Sequence, residues 1–343
     1  MSKLKSAYLF AGLVLASSAV LAQGVLINAA GASFPNPIYQ KWFSEYQKKT
    51  GVRINYQSVG SGAGIGQITE GTVDFGASDG PMNAEQTKKF QAKRGFGVLH
   101  FPTVMGAVVI TYNLPGVSQA LNFTPAAISG IYLGKITKWN DGEIAKANPG
   151  VKLPASDIVV VHRSDGSGTT YVFTDYLSKV SPDWKGKVGS ATSVTWPVGL
   201  GAAKNDGVAG LVKQTAGSVG YVELIYAVQN KMAYGNVKNK AGAFVKASSA
   251  SVSAAAAASS KTIPDDFKVS IVDADGKSSY PISTFTWLLI PEKIQDGGKK
   301  TAIVNLLKWM LDKDAQALAE SLDYASLPKA VVAKEIKAIA KVQ

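Results

Sequence analysis

The chain has 343 residues, 46% of them hydrophobic and 17% charged, enough apolar matter for real cores and roughly two domains of about 150 residues each. This excludes a disordered composition, and the absence of cysteine excludes a disulfide-stapled scaffold or a lipid-modified cysteine. The formal charge of +12 can mark a nucleic-acid binder, but the lysines are spread thinly (Lys48-Lys49, Lys88-Lys89, Lys299-Lys300), so a solvated surface and no nucleic-acid partner are expected.

Lys3 and Lys5 precede an almost unbroken apolar and small-residue run, Ala7 to Leu21, which closes on Val20-Leu21-Ala22. This is the pattern of a secretory signal peptide, residues 1–22, cleaved after Ala22. A membrane anchor is the competing reading, but a span needs about 20 apolar residues. This run is shorter and is interrupted by Ser17 and Ser18. No second run of membrane length follows. The mature chain is therefore expected to be exported, not membrane-embedded, and free in a periplasm.

Val25-Leu26-Ile27 reads as a short buried strand, and residues 35–49 as a helix with Ile38, Trp42, Phe43 and Tyr46 on one face and Gly51 as the stop. Val52, Ile54 and Tyr56 alternate with polar residues as a strand does. Glycine-rich residues 60–66 lead into a short helix; residues 73–76 read as the next strand and 84–93 as the next helix. Residues 106–113 form a β-rich run. Thr124-Pro125 looks like an N-cap with proline at the first helical position. Residues 158–161 predict a strand and 167–179 a helix. Residues 247–260, all Ala, Ser and Val, read as an exposed helix or a loop with little chemistry. Residues 285–290 read as a strong strand, and the C-terminus as helical over 299–320. The alternation of strand and helix argues an α/β architecture with mainly parallel sheets.

Three glycine-and-hydroxyl stretches sit at strand-to-helix junctions: Gly31-Ala32-Ser33-Phe34, Gly60-Ser61-Gly62, and Asp165-Gly166-Ser167-Gly168-Thr169. A helix N-terminus offers unpaired N–H groups and a partial positive charge to an anion. Glycine lets the anion approach the backbone, Ser and Thr add hydroxyl donors, and Arg163 supplies a forked charge beside the third stretch. Taken singly, such runs are more often caps or turns; three of them with an arginine point to an oxyanion site. Residues 60–66 fit neither the dinucleotide nor the nucleoside-triphosphate glycine pattern. Two histidines and no cysteine make a poor metal inventory. His100, between Leu99 and Phe101, reads as structural, and His162 as strand packing rather than a group tuning Arg163. Asp273-Ala274-Asp275-Gly276 lacks the remaining ligands of a calcium loop, so a hairpin turn is preferred. No Ser-His-Asp set with a Gly-x-Ser-x-Gly elbow is present.

These stretches resemble the periplasmic phosphate-binding proteins of the high-affinity phosphate ABC transporter. The similarity runs in order through residues 31–39, 56–62, 73–79, 131–136, 163–169 and 322–328, essentially the whole mature chain. It implies a two-lobed periplasmic-binding-protein fold (type II), each lobe a mixed, mainly parallel sheet flanked by helices. Residues 24–104 with 284–343 would form a discontinuous first lobe, and 105–283 the second. It implies a phosphate site in the cleft made of Ser33, Phe34, Ser61 and Asp79 on one wall and Arg163, Ser167, Gly168 and Thr169 on the other, with Asp165 orienting Arg163. It also implies inorganic phosphate and the permease subunits of a phosphate ABC transporter as partners, a monomer, no cofactor, no metal and no catalytic residue. The family commonly has threonine where Ser33 stands, and often a second serine where this chain has Gly62.

A carboxylate in an anion site is informative. Asp79 can accept the O–H of a protonated ligand, whereas sulfate brings no proton and would leave it facing a negative charge. A mispaired buried charge costs about 3–5 kcal/mol, so Asp79 is expected to select against sulfate. The plain alternative is a cap on the turn Gly80-Pro81; for Asp165 it is a simple Asp-Gly turn. Two other functions stay in view: an exported phosphomonoesterase, and a sulfate- or molybdate-type oxyanion-binding protein of the same fold.

Overall fold

The computed structural model describes residues 24–260 and 263–343; the expected signal peptide, residues 1–22, lies outside the described residues. None of the described helices is long and apolar enough to cross a membrane.

The chain opens with β1 (Leu26–Gly31), α1 (Asn36–Thr50) and β2 (Arg53–Ser58). Helix α1 buries the face the spacing predicts, Ile38, Trp42, Phe43 and Tyr46, and stops at Gly51 in the left-handed conformation (φ 77°). β1 pairs in parallel with β2 and with β3 (Phe75–Ser78). β3 starts two residues later than the predicted run, after Asp74, whose side chain accepts the Asn28 N–H at 2.8 Å and holds Lys299.

Residues 60–66 do not lead into a helix but form its first turns: α2 spans Ser61–Glu70. Glycine weakens a helix by about 1 kcal/mol relative to alanine, and packing explains its use here. A Cβ on Gly64 would fall 2.5 Å from the Gly31 Cα, so only a bare backbone lets α2 lie directly on β1.

After α3 (Ala84–Arg94), opened by an Asn83–Gln86 capping box, comes β4 (Val98–Asn113), twice the length the sequence announces. Pro102 hides its first half, because proline cannot donate to a ladder and is confined to edges or bulges. A register shift sits at that place, with Thr286 opposite Val104 and Trp287 opposite Pro102, leaving Thr103 as the extra residue.

Further along come β5 (Asn122–Phe123), α4 (Pro125–Tyr132), α5 (Gly142–Ala147), β6 (Val159–Arg163), α6 (Gly168–Val180) and α7 (Pro182–Lys187). Thr124 caps α4 through the Ala127 N–H, with Pro125 in the first turn, as the sequence predicts. Then follow β7 (Leu200–Ala202), α8 (Lys204–Gln214), β8 (Ser218–Glu223), α9 (Leu224–Gln229), β9 (Ala233–Tyr234), β10 (Asn236–Lys238) and β11 (Phe244–Val245).

The Ala/Ser/Val segment forms α10 (Ser249–Ser259), and it is not simply exposed. Val252, Ala255 and Ala256 are fully buried on the side packed against β4, where small side chains let the helix come close. β12 (Ser283–Pro291) is buried throughout. The predicted C-terminal helix is two, α11 (Gly297–Met310) and α12 (Lys313–Glu320), followed by an unpredicted α13 (Lys329–Ala338). Buried Gln316 of α12 ties the break to a remote strand: its Nε2 donates to both Met310 O (2.8 Å), satisfying the carbonyl at the end of α11, and Thr103 O of β4 (3.0 Å).

The strands form one sheet in the order β2-β1-β3-β12-β4-β8-β6-β7, with β9 also on β4, and a small sheet β11-β10-β5. Pairing is parallel in β2-β1-β3 and in β8-β6-β7, and antiparallel through β3-β12-β4-β8 between them. β4 is common to both parts: residues 98–107 pair with β12 and residues 108–113 with β8. The helices flank this sheet, and the C-terminal ends of β1, β2 and β6 lead into the three stretches singled out above.

Candidate functional site

Ser167 caps α6, its Oγ accepting the Thr170 N–H at 3.0 Å. The Gly168 and Thr169 N–H groups that follow have no partner within the described chain, so the helix presents free donors and the positive end of its dipole. Arg163 ends β6. Its Nε and Nη2 donate to Asp165 Oδ1 and Oδ2 at 2.7 and 2.6 Å, a planar fork, and Nη1 points to Thr169 Oγ1 at 3.4 Å. Asp165 is thus more than a turn residue. Burial alone would raise its carboxyl, but the hydrogen bonds and charge of Arg163 outweigh that and hold it below its ordinary value.

Asp79 follows β3. Thr286 of β12, next to the bulge in β4, faces it, and Thr286 Oγ1 donates to Asp79 Oδ1 at 2.8 Å. Ser61, the first residue of α2, accepts the Asp79 N–H at 3.3 Å and lies 3.5 Å from Oδ2. The turn at Gly80 is tied instead by Ser78, whose Oγ donates to Gly80 O at 2.6 Å, so capping does not explain the carboxyl. Burial pushes the Asp79 carboxyl up to about 7, against the opposing pull of the Thr286 hydrogen bond, the Arg163 charge and the Ser61 hydroxyl.

Ser33 and Phe34 form the turn between β1 and α1. Their carbonyls accept the hydroxyls of Tyr226 and, at 2.6 Å, Tyr324, while the Phe34 N–H has no partner within the described chain. Contacts close the ring of sequence-predicted residues. Gly62 N–H donates to Gly166 O at 2.8 Å. A Cβ on Gly168 would fall 2.5 Å from both Asp79 Oδ2 and Ser61 Oγ, so glycine alone permits this approach. Asn205 spans Ser33 and Thr169. Ser33, Phe34, Ser61, Asp79, Arg163, Ser167 and Thr169 are each at most 3% exposed. Charge–dipole interactions there act with little screening.

The structure therefore gathers the eight predicted residues around one locus rich in donors: hydroxyls, free N–H groups and a guanidinium, with the Asp79 carboxylate as the outstanding acceptor. Sequence reasoning missed Thr286 and Asn205. Alternating Thr284 and Thr286 in an otherwise apolar strand were a usable sign, since buried hydroxyls need partners. Nothing in Lys204-Asn205-Asp206 distinguishes Asn205 from a turn residue.

The histidines stand apart. His100 Nε2 accepts the Met82 N–H at 3.1 Å, and burial drags its pKa down to about 3, so the ring is neutral. His162 stacks on Trp196, with ring centroids 4.8 Å apart. Asp275 of the supposed calcium fragment pairs with Lys240. No cluster of three or more metal-ligating side chains occurs among the described residues.

The chain matches the family model of the PBP superfamily domain over residues 16–314. It is 44% identical to phosphate-binding protein PstS of Xylella fastidiosa (strain Temecula1), covering 94% of this chain and 86% of that protein. It is 43% identical to phosphate-binding protein PstS of Pasteurella multocida, covering 94% and 92% respectively. Among solved structures, a high-affinity periplasmic phosphate-binding protein bound with phosphate (PfluDING) superposes with a TM-score of 0.74 at 24% identity, over 91% of this chain and 93% of that one. That likeness bears on the fold alone, and it is the two-lobed fold the sequence predicts.

Proposed function

We propose, from the premise that the chain belongs to the family of PstS phosphate-binding proteins within the PBP superfamily, that it captures inorganic phosphate and hands it to an ABC-transporter permease. The carrying observation is the donor set: two walls from distant parts of the chain aim hydroxyls, unpaired N–H groups and a guanidinium at one buried locus that holds the carboxylate of Asp79. An oxyanion with one proton fits it. Its unprotonated oxygens accept, and its hydroxyl donates to Asp79.

In this reading Ser33, Phe34, Ser61 and Asp79 bind from a lobe of residues 24–104 and 284–343. Arg163, Ser167, Gly168 and Thr169 bind from a lobe of residues 105–283, and Asp165 orients the guanidinium. The halving of β4 between β12 and β8 supports a hinge near Gly106. Ligand would close the lobes, and the closed form would dock on the permease in the periplasm after removal of residues 1–22.

Titration calorimetry of the mature chain with phosphate, and with sulfate or molybdate as competitor, tests the reading. Tight one-to-one phosphate binding that equimolar sulfate does not displace is expected. Displacement by sulfate would favour the general oxyanion reading. Sustained release of phosphate from a monoester would favour the phosphatase reading, which the site does not support: the Ser167 hydroxyl is occupied as a helix cap, and the histidines are engaged elsewhere.

A further inference from the structure

Asn205, the second residue of α8, lies fully buried between the two walls. Its Oδ1 accepts the backbone N–H of Glu223 at 3.0 Å. A backbone N–H can only donate, so this contact fixes which end of the amide is oxygen. Nδ2 therefore directs its hydrogens to Ser33 Oγ at 3.0 Å and Thr169 Oγ1 at 3.1 Å. The Asn205 backbone N–H adds a second bond to Ser33 Oγ at 3.2 Å. The preceding residue holds this direction. Lys204 adopts a left-handed conformation (φ 62°), unusual for a non-glycine residue, with its N–H on Asp165 Oδ1 at 3.0 Å.

A hydroxyl has one proton and two lone pairs. Both lone pairs of Ser33 are taken up by Asn205; those of Thr169 face Asn205 and Nη1 of Arg163. Each hydroxyl has only its proton left to give. We propose that Asn205 is a positioning residue that locks the Ser33 and Thr169 hydroxyls as donors toward the bound oxyanion, and thereby limits the ligand to the one proton that Asp79 accepts. This deepens the phosphate-binding reading and rests on it.

The lock acts on protonation state. A singly protonated phosphate satisfies every group, whereas a second ligand proton would point at a hydroxyl hydrogen and leave two buried donors facing each other. The charged and titratable groups around the bridge are Arg163 and Asp165 at β6, Asp79 after β3, Lys204 and Asp206 at α8, Glu223 ending β8, and Tyr226 on α9. Burial keeps Glu223 well above the ordinary carboxylate range and raises Tyr226 as well.

The test is calorimetric titration of phosphate over a pH series spanning its second ionisation, on the mature wild type, Asn205→Ala and Asn205→Asp. Wild-type affinity should fall toward acid. Asn205→Ala frees the hydroxyls to rotate, so affinity at neutral pH should drop roughly 10- to 100-fold and its fall toward acid should flatten. Asn205→Asp keeps the acceptor for the Glu223 N–H but offers the hydroxyls an acceptor too. Their protons turn away from the ligand, the loss at neutral pH should exceed that of Asn205→Ala, and affinity should rise toward acid.

Equal losses with pH slopes parallel to the wild type would make Asn205 a structural strut and overturn the assignment. Wild type that binds no phosphate overturns the functional reading itself, and the two failures are told apart by that first titration. Should Asn205→Ala not fold, Thr169→Val replaces it. In the Asn205→Asp background its cost should be smaller than in the wild type, and strictly additive losses would count against the lock.

Discussion

The two walls of the site are built from different chemistry. The wall at β6 and α6 holds the buried guanidinium of Arg163, two free helix N–H groups and the carboxylate of Asp165, which fixes the guanidinium without touching the ligand locus. The wall at β1, α2 and β3 has no cation among the predicted ligands; it offers hydroxyls, the Phe34 N–H and the Asp79 carboxyl, which Thr286 holds from β12. In the proposed function the first wall attracts any oxyanion. The second asks whether the oxyanion carries a proton. Affinity and selectivity are therefore separable by mutation.

The largest effect should come from the attracting wall. Arg163→Met leaves Asp79 facing the ligand and Asp165 unpaired behind it, with no buried cation, and phosphate affinity should fall roughly a hundred- to several-thousand-fold. A loss below tenfold in a binding titration would show that the charge is supplied from elsewhere.

Asp79→Asn should change selectivity more than affinity, with sulfate becoming an effective competitor. The wild type should show the same trend with pH. As the Asp79 carboxyl protonates below about 7, it becomes a donor that sulfate can use, so sulfate should compete better in acid. Stability moves as well. A carboxyl raised above its ordinary value favours the ligand-free fold while protonated and loses that contribution as pH rises through about 7. Asp79→Asn, with no charge to desolvate, should therefore stabilise the ligand-free protein above that pH by a few kcal/mol, since each tenfold change in proton affinity is worth about 1.4 kcal/mol. Denaturant melts across pH measure it; identical wild-type and variant curves would mean that Asp79 is not held in a desolvating environment.

The smallest effect is expected at Asp165→Asn. Losing the fork loosens the guanidinium, but losing a negative charge near the site favours the anion. The two effects oppose, and the net change should stay within roughly tenfold. A loss above a hundredfold would place Asp165 among the essential groups.

Much of the site is legible in the sequence because it is local. A strand end, a glycine, a hydroxyl cap and a helix start lie within a few residues of one another, and Ser167, Gly168 and Thr169 owe their free donors to that grammar. The first two stretches read the same way, although packing of Gly64 on Gly31 draws residues 60–66 into α2. Elements that answer to distant partners were misjudged: the first half of β4, hidden by Pro102 and its bulge; the buried face of α10; and the break at Gln316 between α11 and α12.

By itself the sequence determined the residue types, the three anion-seeking junctions and the family they resemble, because each depends on neighbours a few positions away. Only the tertiary structure decided that these junctions meet, that Thr286 holds Asp79, that burial lifts that carboxyl to about 7, and that Asn205 bonds Ser33 across 172 positions of sequence. Those properties come from desolvation and from hydrogen bonds between remote segments, and neither exists until the sheet has brought its strands together.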